Sequence, residues 1–252
     1  MKLLAFETST EACSVALWLD GAVHERFELA PRRHAELALP WAEQLLARAG
    51  IAKSQLDAIA VGRGPGAFTG VRLGVAIAQG IALALDRPVV PVSTLAALAM
   101  QAWHLPASVH SPLALDEARA NGSQTPRFAL AAIDARMGEV YLGAFQREGE
   151  GLRALQPEAV AKPEAVALPE GDGWLGVGTG FGAVDGALRT RLGARLAAVD
   201  AGALPHAADV ARLAAMAFAR GEAVAPERLE PAYLRDNVAL TLAEQRALRA
   251  AR

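Results

Sequence analysis

Chemistry-bearing residues first appear at Glu7-Thr8-Ser9-Thr10, a polar turn between two apolar runs. There, hydroxyls and backbone amides can cradle a phosphate, and a carboxylate can position a magnesium ion. The same residues also make an ordinary polar hairpin turn. Glu7, Thr8 and Ser9 are therefore the candidate nucleotide loop. A second segment, Gly62-Arg63-Gly64-Pro65-Gly66-Ala67, lies between a predicted strand and a predicted helix and matches the loose dinucleotide pattern G-x-G-x-x-A. A dinucleotide site wants an acid on the next strand, and Val89-Val90-Pro91-Val92 has none. No Gly-Lys-Ser/Thr follows, which excludes a P-loop at this point. The remaining reading is a tight turn that lets the next helix approach closely. A third segment, Asp134-Ala135-Arg136-Met137-Gly138-Glu139, is a charged hairpin tip. The five histidines show no metal-ligand spacing, no Gly-x-Ser-x-Gly elbow is present, and Cys13 falls inside a predicted strand. No catalytic residue and no metal ligand is assigned.

The elements that must position these groups begin with strands at Lys2 to Glu7, Ala12 to Leu19 and Ala22 to Leu29, the last two joined by Asp20-Gly21. Arg33 to Ala49 reads as a helix with Leu37, Trp41 and Leu45 on one face, Pro40 within it, and Gly50 as its stop. After a strand at Leu56 to Val61, Phe68 to Leu85 is apolar almost all round, which predicts a buried helix. In it Gly70, Gly74 and Ala78 recur every four residues, as do Ala76, Gly80 and Ala84. Helical glycine costs about 1 kcal/mol against alanine, so this much of it implies close backbone packing, with one core or with a core and a partner. A strand at Val89 to Val92 and a helix capped by Ser93 follow. The prolines, serines and Asn121-Gly122 of His104 to Arg127 predict a surface connection. The second unit has a hairpin of Phe128 to Ile133 and Val140 to Phe145, a strand at Trp174 to Val177, and a helix from about Ala207 to Arg220. The expected organisation is an N-terminal lobe (1–105), a connecting loop (106–127), a second lobe (128–235) and a tail (236–252). Each lobe opens with a hairpin that has an acid nearby, Glu7 or Asp134, which suits a duplicated ribonuclease-H-like core.

The 252 residues suffice for two small lobes with buried cores. One cysteine suits a reducing compartment, and the first ten residues are too short an apolar run for a signal peptide, so a soluble cytoplasmic protein without a membrane span is expected. A formal net charge of −2 gives no electrostatic ground for tight binding to nucleic acid by the chain alone.

Four stretches together resemble the bacterial TsaB (YeaZ) family of tRNA threonylcarbamoyladenosine biosynthesis proteins. They are Glu7 to Leu17, Gly62 to Arg72, Ile133 to Tyr141 and Pro231-Ala232-Tyr233-Leu234-Arg235, and they occur in that order along most of the chain. The resemblance implies an α/β, actin-like (ASKHA) ATPase fold of two related lobes. It also implies a non-catalytic role beside TsaD, the catalytic paralogue, and TsaE, an ATPase, in transferring a threonylcarbamoyl group to adenosine 37 of tRNAs that read codons beginning with A. TsaD carries a metal-binding His-x-x-x-His; the spacing is absent from this chain. In that family the first two helices meet TsaD, or a second copy when the protein is alone. Trp41, Gly70, Leu73, Gly74 and Ile77 become candidate interface residues on that ground, and Arg136 joins them as a candidate at the hairpin tip. ATP and magnesium would belong to the complex, tRNA would be reached through it, and no cofactor of the chain's own is expected. Glu7 stands where the family usually has aspartate. Two rival readings are an active ATPase or small-molecule kinase of the same fold, using Glu7 and Asp134 around magnesium, and a metallopeptidase.

Overall fold

In the computed structural model, which describes residues 1–105 and 127–235, two sheets repeat one topology. β1 (Lys2–Glu7), β2 (Ala12–Leu19) and β3 (Ala22–Leu29) form an antiparallel meander, and β4 (Ala58–Gly62) and β5 (Val89–Val92) join parallel on the far side of β1, giving the order β3-β2-β1-β4-β5. The second sheet has β6 (Phe128–Arg136), β7 (Glu139–Glu148) and β8 (Gly151–Ala154) as its meander. β10 (Trp174–Val177) and β11 (Leu196–Asp200) run parallel beside β6, and the short β9 (Ala159–Ala161) pairs with β7. This is the duplicated core of the actin-like fold. It also puts the β1–β2 and β6–β7 turns at equivalent ends of their sheets.

Strands buried on both faces explain the long apolar runs. In β1, Leu4 and Phe6 point into one core and Leu3 and Ala5 into the other. α1 (His34–Ala49) and α2 (Phe68–Leu85) cover the first face. α1 buries Ala38, Trp41, Ala42, Leu45 and Leu46, a helical stripe, and ends at Gly50 with φ 65°. Pro40 lies inside the helix and does not end it. Trp41 is thus a core residue, with the Arg26 guanidinium 5.4 Å from its ring centroid, which corrects the expectation that it faces a partner.

α2 keeps its expected bounds, but it is not buried all round. Only Val71, Gly74, Val75, Ala78 and Ala82 are covered, while Phe68, Ala76, Gly80, Leu83 and Ala84 face outward. The helix is long and apolar enough to cross a membrane by composition, yet its covered face packs on the first sheet. α3 (Thr94–Met100), capped by Ser93, lies between the sheets and packs on β6 through Leu95 and Leu98. α4 (Ala187–Leu192) backs the second sheet.

α5 (Ala207–Ala219) follows β11 in sequence but packs on the first sheet, through Ala207, Val210, Ala211 and Ala214 against Leu3, Ala5 and Ala16. Its N-terminal amides are satisfied by that sheet as well: Ala207 N donates to Ser14 Oγ at 2.9 Å and Ala208 N to Glu25 Oε1 at 3.0 Å. His206 Nδ1 lies 3.0 Å from Glu25 Oε2, and its ring stacks on Phe27. A division of the chain at residues 105 and 128 therefore separates the sheets but not the helices. The expected connection and tail fall, but for the ends of the former, outside the described residues.

Candidate functional site

The polar turn after β1 is closed from above by the glycine segment after β4. Glu7, Thr8 and Ser9 are 1%, 0% and 0% exposed. Thr8 donates its hydroxyl to Gly70 O at 2.7 Å, and Ala67 N donates to Ser9 O at 2.7 Å. A Cβ on Gly66 would stand 2.4 Å from Ser9 O, and one on Gly70 would stand 2.0 Å from Thr8 O. The glycines are there so that backbone can lie on backbone. The tight-turn reading of Gly62 to Ala67 is the one the geometry supports, with the close approach made to the β1–β2 turn.

Glu7 has no route to solvent. Ser9 N donates to its Oε1 at 2.7 Å, Thr94 Oγ1 lies 3.0 Å from its Oε2, and a Cβ on Gly62 would fall 1.8 Å from that same oxygen. Thr94 Oγ1 also accepts from Gly64 N at 3.1 Å and lies 3.0 Å from Ser9 Oγ, so one buried hydroxyl ties three segments together. Burial raises the Glu7 pKa above its ordinary value, against the pull of its hydrogen bonds from Ser9 and Thr94. At the matching turn of the second sheet, Asp134 uses both oxygens on Arg136: Oδ1 accepts from its backbone N–H at 2.8 Å and Oδ2 pairs with its guanidinium at 3.0 Å.

The residues present therefore do not fit a magnesium-nucleotide site. The Glu7-Thr8-Ser9 loop is a packed junction in which the Ser9 N–H, both Glu7 carboxylate oxygens and the Thr8 and Ser9 hydroxyls have partners within the chain, unlike the open nucleotide loop expected there, while Asp134, the other acid of the kinase reading, stays partly exposed. Among the described residues no three His, Cys, Asp or Glu side chains are grouped to hold a metal ion. Burial, with help from Glu28, pushes the Cys13 thiol up to about 11, so it is not poised as a nucleophile.

A raised pKa in the fold has a measurable sign. The folded state keeps a proton on Glu7 at pH values where the unfolded chain has lost it, so this group's stabilising contribution is full below the unfolded pKa and is lost as pH rises through the folded one. Urea midpoints of Glu7→Gln, compared with the parent across pH 4 to 8, should show the parent losing stability relative to the variant as pH rises. A parent that gains on the variant over that range would mean that Glu7 is charged in the fold.

The candidates on α2 divide into two sets. Gly70 and Gly74 face inward, with Gly74 against Thr8 Oγ1 and Val61, so both are packing residues rather than partner contacts. Leu73 and Ile77 are half-buried at the margin, with Ile77 packed on the core. Arg136 stands on the β6–β7 tip with its side chain 83% exposed, next to Met137 at 85%. The sequence reading missed Thr94, although it assigned the cap to Ser93 beside it.

The chain as a whole is similar to known proteins. The model for tRNA N6-adenosine threonylcarbamoyltransferase (TsaD) matches residues 26–242. The tRNA threonylcarbamoyladenosine biosynthesis protein TsaB of Escherichia coli is 44% identical over 251 residues, 95% of this chain and 96% of that one. The chain belongs to the TsaB family. The TsaB of Haemophilus influenzae is 38% identical over 94% of this chain and 95% of its own length. YeaZ from Pseudomonas aeruginosa superposes with a TM-score of 0.78 at 46% identity, covering 92% of this chain and 99% of that one. The four stretches that carry the resemblance are brought together by the fold at three places: the sealed β1–β2 turn, where the first two meet; Arg63 and Arg72, where the second meets the fourth; and the hairpin tip, where the last two meet.

Proposed function

We propose that this chain acts in threonylcarbamoyladenosine synthesis on tRNA as a non-catalytic partner of TsaD, working with TsaE, and contributes surfaces rather than an active site. The observation that carries this is the sealed turn: where the fold would hold nucleotide phosphate, Glu7, Thr8 and Ser9 are packed under Gly66 and Gly70. Phosphoryl transfer needs its nucleotide held and its charge neutralised, and the residues that would do so here are occupied. ATP and magnesium then belong to the complex, and tRNA is reached through it, in keeping with a net charge of −2. The outward face of α2 and the tip residue Arg136 are the surfaces offered to TsaD in the cytoplasm, and the α2 face serves a second copy when TsaD is absent.

Reconstitution tests this reading. TsaD, TsaE, substrate tRNA and the threonylcarbamoyl donor are combined with and without the chain, and incorporation should depend on it. Equal incorporation in both mixtures overturns the reading. Arg136→Ala in the same mixture should lower incorporation while leaving the melting temperature nearly unchanged, because an exposed ion pair contributes about 0 to 1 kcal/mol. A large loss of stability would make Arg136 a folding residue instead.

A further inference from the structure

The function proposed above gives Pro231-Ala232-Tyr233-Leu234-Arg235 no part, although the stretch runs beside both the glycine segment and α2. Its path is specific. After α5 the chain pairs Val224 with Val89 at the edge of the first sheet, and the Gln79 side chain on α2 donates to Pro226 O at 3.0 Å and Leu229 O at 3.1 Å. Ala232 N donates to Arg63 O at 2.8 Å, and Arg72 Nε donates to Tyr233 Oη at 2.8 Å while its guanidinium lies 3.7 Å from the Phe68 ring centroid. Two residues on, Arg235 leaves the first lobe. Its guanidinium donates to Ala135 O at 3.2 Å and to the Glu139 carboxylate, and lies 3.8 Å from Met137 Sδ.

The tip that Arg235 grips is in a conformation its own sequence disfavours. Arg136, Met137 and Gly138 have φ values of 64°, 57° and 76°. Only glycine enters that region without a Cβ penalty, and two-residue hairpin loops favour Asn-Gly or Asp-Gly. Here two long side chains occupy such positions, and both point into solvent. Strain held at exposed residues needs outside support and marks a place where geometry matters.

We propose that Arg235 is a positioning residue: anchored to α2 through Tyr233 and Arg72, it holds the β6–β7 tip so that Arg136 and Met137 meet the partner in one fixed geometry. The strap then locks the tip of one lobe to the α2 face of the other, making a single docking surface from two lobes. The partner half of this inference rests on the function proposed above; the positioning half concerns the chain alone.

The test has two arms. Hydrogen exchange is measured on the free chain for the parent, Arg235→Ala and Glu139→Gln. Each substitution should speed exchange over residues 135–139 by about tenfold, the equivalent of one charge-assisted hydrogen bond, with α2 and β10 unchanged. Glu139→Gln leaves the strap intact, so it decides the matter should Arg235→Ala fail to fold. Unchanged tip exchange in Glu139→Gln and in any folded Arg235→Ala overturns the proposal. In the second arm TsaD binding is titrated. Arg235→Ala should weaken it by about tenfold, Arg235→Lys should recover part of the loss, and Arg235→Ala should add nothing in an Arg136→Ala, Met137→Ala background. A full additional loss in that background shows that Arg235 does not act through the tip and overturns the positioning role. If the parent chain does not bind TsaD, the proposed function fails, and the exchange arm alone decides whether the strap holds the tip.

Discussion

Gly70→Ala is expected to destabilise the protein by about 3 kcal/mol, and Gly80→Ala, ten residues along the same helix, to stabilise it by up to about 1 kcal/mol. The first expectation follows from contact. A Cβ at Gly70 would lie 2.0 Å from Thr8 O, a main-chain atom that cannot rotate away. Relief would need α2 or the β1–β2 turn to move, and that turn carries the Thr8 hydroxyl bond to Gly70 O and, next to it, the Glu7 and Ser9 contacts with Thr94. Overpacking against backbone therefore spreads into a hydrogen-bonded junction. Gly80 has nothing within 4 Å of its Cβ direction, so alanine there gains helix propensity at no steric cost. Urea denaturation of both variants, analysed with a common m-value, measures the pair. A Gly70→Ala midpoint within about 0.5 kcal/mol of the parent would show that the turn yields, and that the seal over Glu7 is soft enough to reopen the nucleotide reading.

Why the sequence reveals some of this and hides the rest is visible in the same glycines. Period-two and period-four apolar patterns are local, so the meander β1–β2–β3, the bounds of α2 and the hairpin β6–β7 are legible without a structure. The face that each glycine presents is not local. Gly70 and Gly74 look like a possible helix contact until the fold sets Thr8 beneath them, while Ala76, Gly80 and Ala84 carry the same spacing and are left outside. Trp41 reads as a prominent residue on a helix face, and the fold turns that face inward. The burial of the expected nucleotide loop is hidden from the sequence for a related reason. Glu7-Thr8-Ser9-Thr10 has the chemistry of a phosphate cradle, and only the approach of Gly62, Gly66 and Gly70 reveals that its donors are already used. α4, β8, β9 and β11 are not among the elements expected from the sequence, and the caps on α5 come from Ser14 and Glu25, nearly two hundred residues away. Long-range capping leaves no local signature.

The outward face of α2 gives the second large expected effect: Ala76→Glu should weaken association with TsaD by about 2 kcal/mol or more, roughly thirtyfold in Kd, without harming the fold. Half of the argument is what the helix already buries. Val71, Gly74, Val75, Ala78 and Ala82 satisfy the first sheet's demand for cover, and Phe68, Ala76, Gly80 and Leu83 still face out, with Phe68 and Leu83 58% and 56% exposed. The rest concerns shape. Small residues at Ala76 and Gly80, four apart, let another helix approach closely, with Leu83 and Phe68 flanking the contact. A carboxylate at the centre of such a face would be desolvated without a partner. In the free chain it costs little, since glutamate suits an exposed helix position and lies four residues from Arg72. Ile77→Glu and Gly74→Leu are poorer probes because both side chains would enter the core. If a second copy uses the same face, Ala76→Glu should also shift the isolated protein toward monomer in sedimentation, and excess TsaD should dissociate the parent's self-association. A folded Ala76→Glu chain that binds TsaD with parental affinity would place the interface elsewhere and leave this helix face without a partner.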